Sequence, residues 1–409
     1  MMTTVGIIGF IVVLLLSVML HEWGHFATAR RFGMKATEFF VGFGPRLWSI
    51  RRGETEYGVK AIPAGGYVKI VGMTDLEEID PADEPRAFYR KPARQRAVVL
   101  AAGSFMHFVL AFVLFVTIPM VFGHSKATLT VDKVPDCVWT DTTGKQTSLP
   151  TTCGPDTVPA PAWQAGLRPG DTIVSLDGKR LKTWQEFTAA VKAAGARQVT
   201  IVVRRDGREL TLRPTLIVQK RADGTGKTVQ AAVLGVTSEI VVERAGPVEA
   251  LGEAVDDFQT MFLGTFKALG QIPASIPALF RQTFGDEPRD PNGLVGAVGI
   301  AVVSGQVLDE GSDPLPIRIG SFLGLMAGIN IFIGIFNLLP LLPLDGGHLA
   351  VLVFEESRRR LYRLLGRPDP GRVDLMKLMP AAYLFLVLLI GLSVLLVAAD
   401  IVNPPKLSL

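Results

Sequence analysis

Four runs of this 409-residue chain, spanning about 5–27, 97–123, 320–343 and 378–400, are long, apolar and nearly free of charge. About 20 such residues are what an α-helix needs to cross the hydrocarbon core of a bilayer. Inside that core every backbone N–H and C=O must be paired within the protein, so the runs must be helices. They restrict the chain to a polytopic α-helical membrane protein with about four transmembrane helices. Only Met-Met-Thr-Thr precedes the first run, with no basic start and no small-residue cleavage pattern after it. That run is therefore expected to be retained rather than removed as a signal peptide.

The net charge of +4 acquires meaning from its placement. Lys and Arg crowd the segment after the first run (Arg30 to Arg96) and the segment after the third (Arg358 to Arg372). The excess of basic residues in these two same-side loops places both in the cytoplasm. Both termini and residues 124–319 then lie outside, in a multi-pass protein of the cell's inner (cytoplasmic) membrane. No nucleic-acid partner is expected; the surrounding partner is lipid. Residues from 125 to about 250 are polar and carry short alternating runs such as VTIVVRR and LTLRPTLIV, so they read as a soluble domain. Cys137 and Cys153 both fall in this outer segment, where disulfides persist, and a bridge is expected; two unrelated thiols are the alternative. Residues 258–284 are apolar but carry Pro273, Pro277, Lys267 and Arg281. They are expected as a broken amphipathic segment on the outer interface rather than a fifth span.

Near the end of the first run stands HEWGH, residues 21–25. Ionisable groups are costly at such depth and are functional by default. On a helix, residues four apart share a face, so His21 and His25 can turn their rings to one metal ion while Glu22 lies beside them. Two neutral imidazoles suit Zn2+, and the carboxylate can take a proton from water and pass it to a leaving amine. Five residues alone would also arise by chance on an ordinary helix. Two histidines leave the site in need of an anionic third ligand. Residues 337–348, NLLPLLPLDGGH, offer Asp345, the one acid between Asp313 and Glu355. Pro340 and Pro343 break the helical run there, a break tolerated at membrane depth only where protein or water covers it. The bland reading is that Asp345 caps the next helix.

These pieces occur in one order: HEWGHFATARRFGMK, FFVGFGPRLW, GETEYGVKAIPAGGYVKIVGM, GLRPGDTIVSLDGKRL and NLLPLLPLDGGH. Together they resemble the site-2 protease family, in its bacterial four-span form with a single inserted PDZ region. The resemblance implies that His21, His25 and Asp345 ligate zinc, that Glu22 is the catalytic base, and that Asn337 lies near the substrate; the Asn337 amide could instead serve the freed carbonyls before Pro340. It also implies a domain order. Residues 1–123 hold two spans with a membrane re-entrant β-hairpin at about 37–73, in which 55–71 turns at PAGG. A linker with both cysteines follows at 124–160, then an α/β PDZ-like domain at 161–218, an outer segment at 219–319 and the last two spans at 320–409. Residues 161–216 would supply WQEFTAAVKAA as a helix and a hairpin turning at Asp206-Gly207. The implied activity is cleavage within transmembrane helices of single-span regulatory proteins such as anti-sigma factors, after an upstream site-1 protease has acted. The rival is an idle membrane scaffold that binds peptide tails through the PDZ unit, which has no need of Glu22. The other histidines, His107, His124 and His348, have no spacing that ties them to the set; His348 follows the DGG turn as a supporting residue.

Overall fold

The computed structural model describes residues 2–73, 79–140, 150, 152–222, 228–285, 287, 289–290, 293–309 and 313–405. Parts of both outer linkers, 141–149 and 223–227, lie outside the described residues. The chain divides into two units, one of residues 2–122 with 245–405 and one of residues 123–244.

The first unit opens with helix α1 (Met2–Arg31), whose uninterrupted apolar run contains no proline. Arg30 and Arg31 in the last turn favour the negative end of the helix dipole. Gly33, at φ +67°, reverses the chain, and Met34 N–H donates to the Ala29 carbonyl at 2.9 Å, a glycine-based helix stop. Strands β1 (Ala36–Arg52) and β2 (Thr55–Ile70) follow as a pair of long bent strands. The chain does turn near the PAGG sequence, but the arms on either side of that turn do not pair with each other. Residues 38–41 stand between them, Phe39 facing Val68 on one side and Tyr57 on the other, and residues 46–52 pair outside 55–60. The 66–70 stretch therefore forms one edge of this small sheet. Helix α2 (Ala93–Thr117) ends in a π-helical turn over Ile118–Phe122 that contains Pro119.

The second unit carries a sheet in the order β12-β3-β6-β8-β9, built from β3 (His124–Val131), β6 (Thr172–Leu176), β8 (Ile201–Arg205), β9 (Arg208–Leu212) and β12 (Ser238–Glu243), with β7 (Lys179–Arg180) on β6. Two ribbons, β4 (Cys137–Trp139) with β5 (Thr157–Pro159) and β10 (Ile217–Ala222) with β11 (Thr228–Val233), and two helices, α3 (Pro161–Gln164) and α4 (Trp184–Ala194), complete it. Thr183 caps α4 by accepting from Glu186 N–H. Asp206 and Gly207, both at positive φ, close the β8–β9 hairpin as a two-residue turn of the expected sequence. Phe187 and Val191 of α4 pack on Ile173, Ile201 and Val203 of the sheet to form the core. The sheet draws β3 and β12 from outside residues 161–218. Cys137 and Cys153 are bridged, as expected.

Four more helices belong to the first unit after α5 (Pro247–Phe284): α6 (Ala297–Asp309), α7 (Leu315–Asn337), α8 (Asp345–Leu364) and α9 (Met379–Val402). Helix α5 corrects the expectation of a broken segment, since it runs unbroken through Pro273 and Pro277. Four residues apart, the two prolines lie on one helix face, so the missing donors are confined to that side. Its Ala254, Phe258 and Phe262 pack on Phe108, Phe112 and Ile331 of α2 and α7. Among the described residues, four helices are long and apolar enough to cross a membrane, Met2–Arg31, Ala93–Phe122, Leu315–Asn337 and Met376–Val402. The third span begins and ends earlier than its apolar run. Pro314 and Pro316 start it, where a missing N–H costs nothing, and the restriction that Pro340 places on the residue before it forbids continuation.

Candidate metal centre

Helix geometry brings His21 and His25 to one face of α1, and both rings are buried. Their Nε2 atoms are 3.1 Å apart, and Asp345 Oδ2 lies 3.2 Å from each. Tetrahedral donors about 2.0–2.1 Å from zinc stand about 3.3–3.4 Å apart, so the three atoms outline one face of such a site. Their chemistry fits as well as their spacing. His25 Nδ1 is 2.7 Å from the Val99 carbonyl, to which it donates, so its Nε2 presents a lone pair. Asp345 Oδ2 is buried and receives no hydrogen bond from the described residues. A carboxylate oxygen shut in with imidazole lone pairs is a pocket for a cation. No other group of three or more such residues forms a cluster of this kind among the described residues.

Asp345 reaches this point because of the turns before it. Residues 338–344 leave α7 through successive tight turns, and α8 begins at Asp345 with Leu344 as its N-cap and no side-chain cap. The capping role open to Asp345 is thus not the one it plays. A Cβ on Gly346 would overlap the Leu338 carbonyl, and one on Gly347 would lie 2.6 Å from Leu342 N, so the two glycines let α8 start against the turn. On the other side, a Cβ on Gly24 would sit 2.6 Å from the Ala102 carbonyl, and one on Gly103 would sit 2.7 Å from His21 Nε2. The backbones of α1 and α2 touch at the centre itself.

Glu22 lies beside the three clustered side chains, and its Oε2 accepts from Val68 N–H at 3.0 Å. The edge stretch of β2 therefore holds the carboxylate that the sequence marked as a base. Gly66 allows the approach, since its Cβ would meet Met19 Sδ at 2.8 Å and Glu22 Cγ at 3.6 Å. Asn337 is the last residue of α7, half-buried, and does not join the three clustered side chains. His348 lines a cavity of about 50 Å³ with Arg96, Glu355 and Arg372. Sequence reasoning set His107 aside, yet its ring lies 5.1 Å from that of His21, and its Nδ1 is 2.7 Å from Asn330 Oδ1. A histidine within a span is a functional candidate by default, but no spacing in the sequence ties His107 or Asn330 to His21.

Comparison with known proteins agrees with this geometry. The family model described as Peptidase family M50 matches residues 9–365. Zinc metalloprotease Rip1 of Mycobacterium bovis is 38% identical over 418 residues, covering 100% of both chains. The Rip1 of Mycolicibacterium smegmatis is 37% identical over 417 residues, covering 99% of each. A putative zinc metalloprotease of Mesorhizobium japonicum is 30% identical over 370 residues, 87% of this chain and 90% of its own. With a match that takes in both HEWGH and LDGG and relatives aligned from end to end, the chain belongs to peptidase family M50, the site-2 proteases.

Proposed function

We propose that this protein is an intramembrane zinc endopeptidase that cuts within the transmembrane helices of single-span regulatory proteins, anti-sigma factors among them, after an upstream site-1 protease has trimmed them. The observation that carries the reading is the convergence of His21 Nε2, His25 Nε2 and Asp345 Oδ2 within 3.2 Å of one another, with the two histidines and Glu22 on a helix apolar enough to span the membrane and Asp345 at the start of α8. His21, His25 and Asp345 would hold Zn2+, which supplies Lewis acidity to water and to a carbonyl when bound. Glu22 takes a proton from the attacking water and delivers it to the departing amide nitrogen. Val68 N–H holds one oxygen of Glu22 and leaves the other to handle that proton.

A helical substrate must be unwound before its peptide bond can be attacked, and its freed N–H and C=O groups then need partners. The 66–70 edge supports the reading of 37–73 as a re-entrant element that offers them by strand pairing. Phe43, Leu47, Trp48 and Ile62, all exposed, suit immersion in lipid. Asn337, where α7 gives way to turns, would bind the unwound backbone. The bridge between Cys137 and Cys153 and the basic loops support residues 123–244, with their PDZ-like region, on the outer side of the cytoplasmic membrane. The test compares membrane proteomes of cells carrying wild-type protein and Glu22→Gln. Trimmed single-span stubs are expected to accumulate only with the variant, while the purified variant keeps its zinc. Identical stub populations in the two strains would refute the activity, and a metal-free wild-type protein would refute the centre.

A further inference from the structure

The two histidines at the centre are held by different means. His25 is fixed by the hydrogen bond from Nδ1 to the Val99 carbonyl. His21 Nδ1 is buried with no hydrogen-bond partner among the described residues, so no such bond from them sets the tilt of its ring. That ring instead lies between two others, His25 at 4.8 Å between centroids and His107 at 5.1 Å. His107 is itself pinned. Asn330 Nδ2 donates to the Met326 carbonyl at 2.8 Å, so Oδ1 is the acceptor and receives the proton on His107 Nδ1 at 2.7 Å. His107 is 1% and Asn330 2% exposed, and a polar pair buried this completely costs stability unless each partner satisfies the other. An apolar side chain would fill the volume without that cost, but nothing would fix its orientation.

We infer that His107 is a positioning residue for His21: through the ordered chain Met326 carbonyl, Asn330, His107, helix α7 sets the ring of a metal ligand on α1 by way of α2. This rests on reading His21, His25 and Asp345 as the metal site. Gly103, one turn before His107 on the same face of α2, meets both ligand rings, so α2 presents a fitted surface to the centre. By accepting from Nδ1, Asn330 fixes the proton there and with it the plane of the ring that lies against His21.

The test uses the full chain in detergent, stripped and reloaded with Zn2+ against a competing chelator, and separately with Co2+ for its absorption spectrum. His107→Ala is expected to weaken zinc by about 10–100-fold, the usual effect of losing a support behind a ligand, and to change the Co2+ bands. Asn330→Ala should move both readouts in the same direction by less, and His107→Phe, which keeps a ring but cannot be pinned, should behave like Asn330→Ala. Melting of the metal-free protein identifies any variant that fails to fold, and the milder pair then decides. Unchanged zinc affinity and Co2+ spectrum in folded Asn330→Ala and His107→Phe would overturn the inference. Asp345→Ala separates the two layers. If it too binds zinc normally, the metal site is wrong; if it loses zinc while the His107 and Asn330 variants do not, only the positioning role falls.

Discussion

At the scale of single residues the candidate centre depends as much on absent atoms as on its three donor side chains. Gly103 has no space for a methyl group, because its Cβ would press on His21 and His25. Gly103→Ala is expected to cost about 1–3 kcal/mol as an overpacked contact and, more tellingly, to lose zinc and cleavage together; full metal content in the folded variant would show that α2 yields instead. HEWGH and Asp345 were legible in the sequence for a physical reason. A four-residue spacing on a helix fixes two rings on one face without knowledge of the fold, and an isolated acid at a span's edge has few other uses. Gly103, His107, Asn330 and Val68 were not legible as parts of the site. Each meets the centre across a helix or strand interface, and no local spacing encodes such a meeting.

Elements show the same division. Apolar length alone located the spans, but where the third ends is decided by Pro340 and by turns that only Gly346 and Gly347 permit, so its sequence limit overshot. In β1 and β2 the turn was readable and the partner was not, since the stretch that intervenes, 38–41, comes from elsewhere in the chain. In the second unit, β6 is tied to β8 by an ion pair that allows a clear test. Asp171, fully buried, takes Arg205 Nε at 2.6 Å and Nη2 at 2.7 Å and accepts from Arg168 N–H at 2.9 Å. Burial pushes its carboxyl upward, but Arg205 and the Arg168 amide outweigh that and hold it below the ordinary carboxylate range. A depressed folded value means that the stabilisation is complete above the unfolded value of about 4 and is lost as pH falls through the folded one. Asp171→Asn should therefore cost about 2 kcal/mol at neutral pH, and the gap in melting temperature from wild type should close as pH drops below about 4. A gap independent of pH would mean that shape rather than charge is what Asp171 contributes.

On the scale of the molecule, the second unit is an insertion into a membrane protein, tethered at both ends. A folded domain of roughly 120 residues has a radius of gyration of about 14 Å by compactness scaling, bulky enough to bar a substrate that still carries its own folded outer domain. Removing the unit is expected to allow cleavage of untrimmed substrates; loss of cleavage of trimmed stubs, with zinc retained, would mean that the unit recruits them instead. The sheet dictates how the removal must be made. Deleting 161–216 would take β6, β8 and β9 and leave β3 and β12 without a sheet, so the cut belongs at the unit's base. There His124 and Glu243, the first residue of β3 and the last of β12, face each other as partners, with Cα atoms about 4.5–5.5 Å apart in any antiparallel pair. An Asn-Gly turn can close such a gap. Departure and return of the chain thus share one narrow doorway, and Ala245 N–H, just past it, fastens to the Pro119 carbonyl at the end of the second span. A protein so arranged can exchange what stands beyond the doorway without redrawing its membrane half, which makes the insertion point a ready place for designers to fit a different domain.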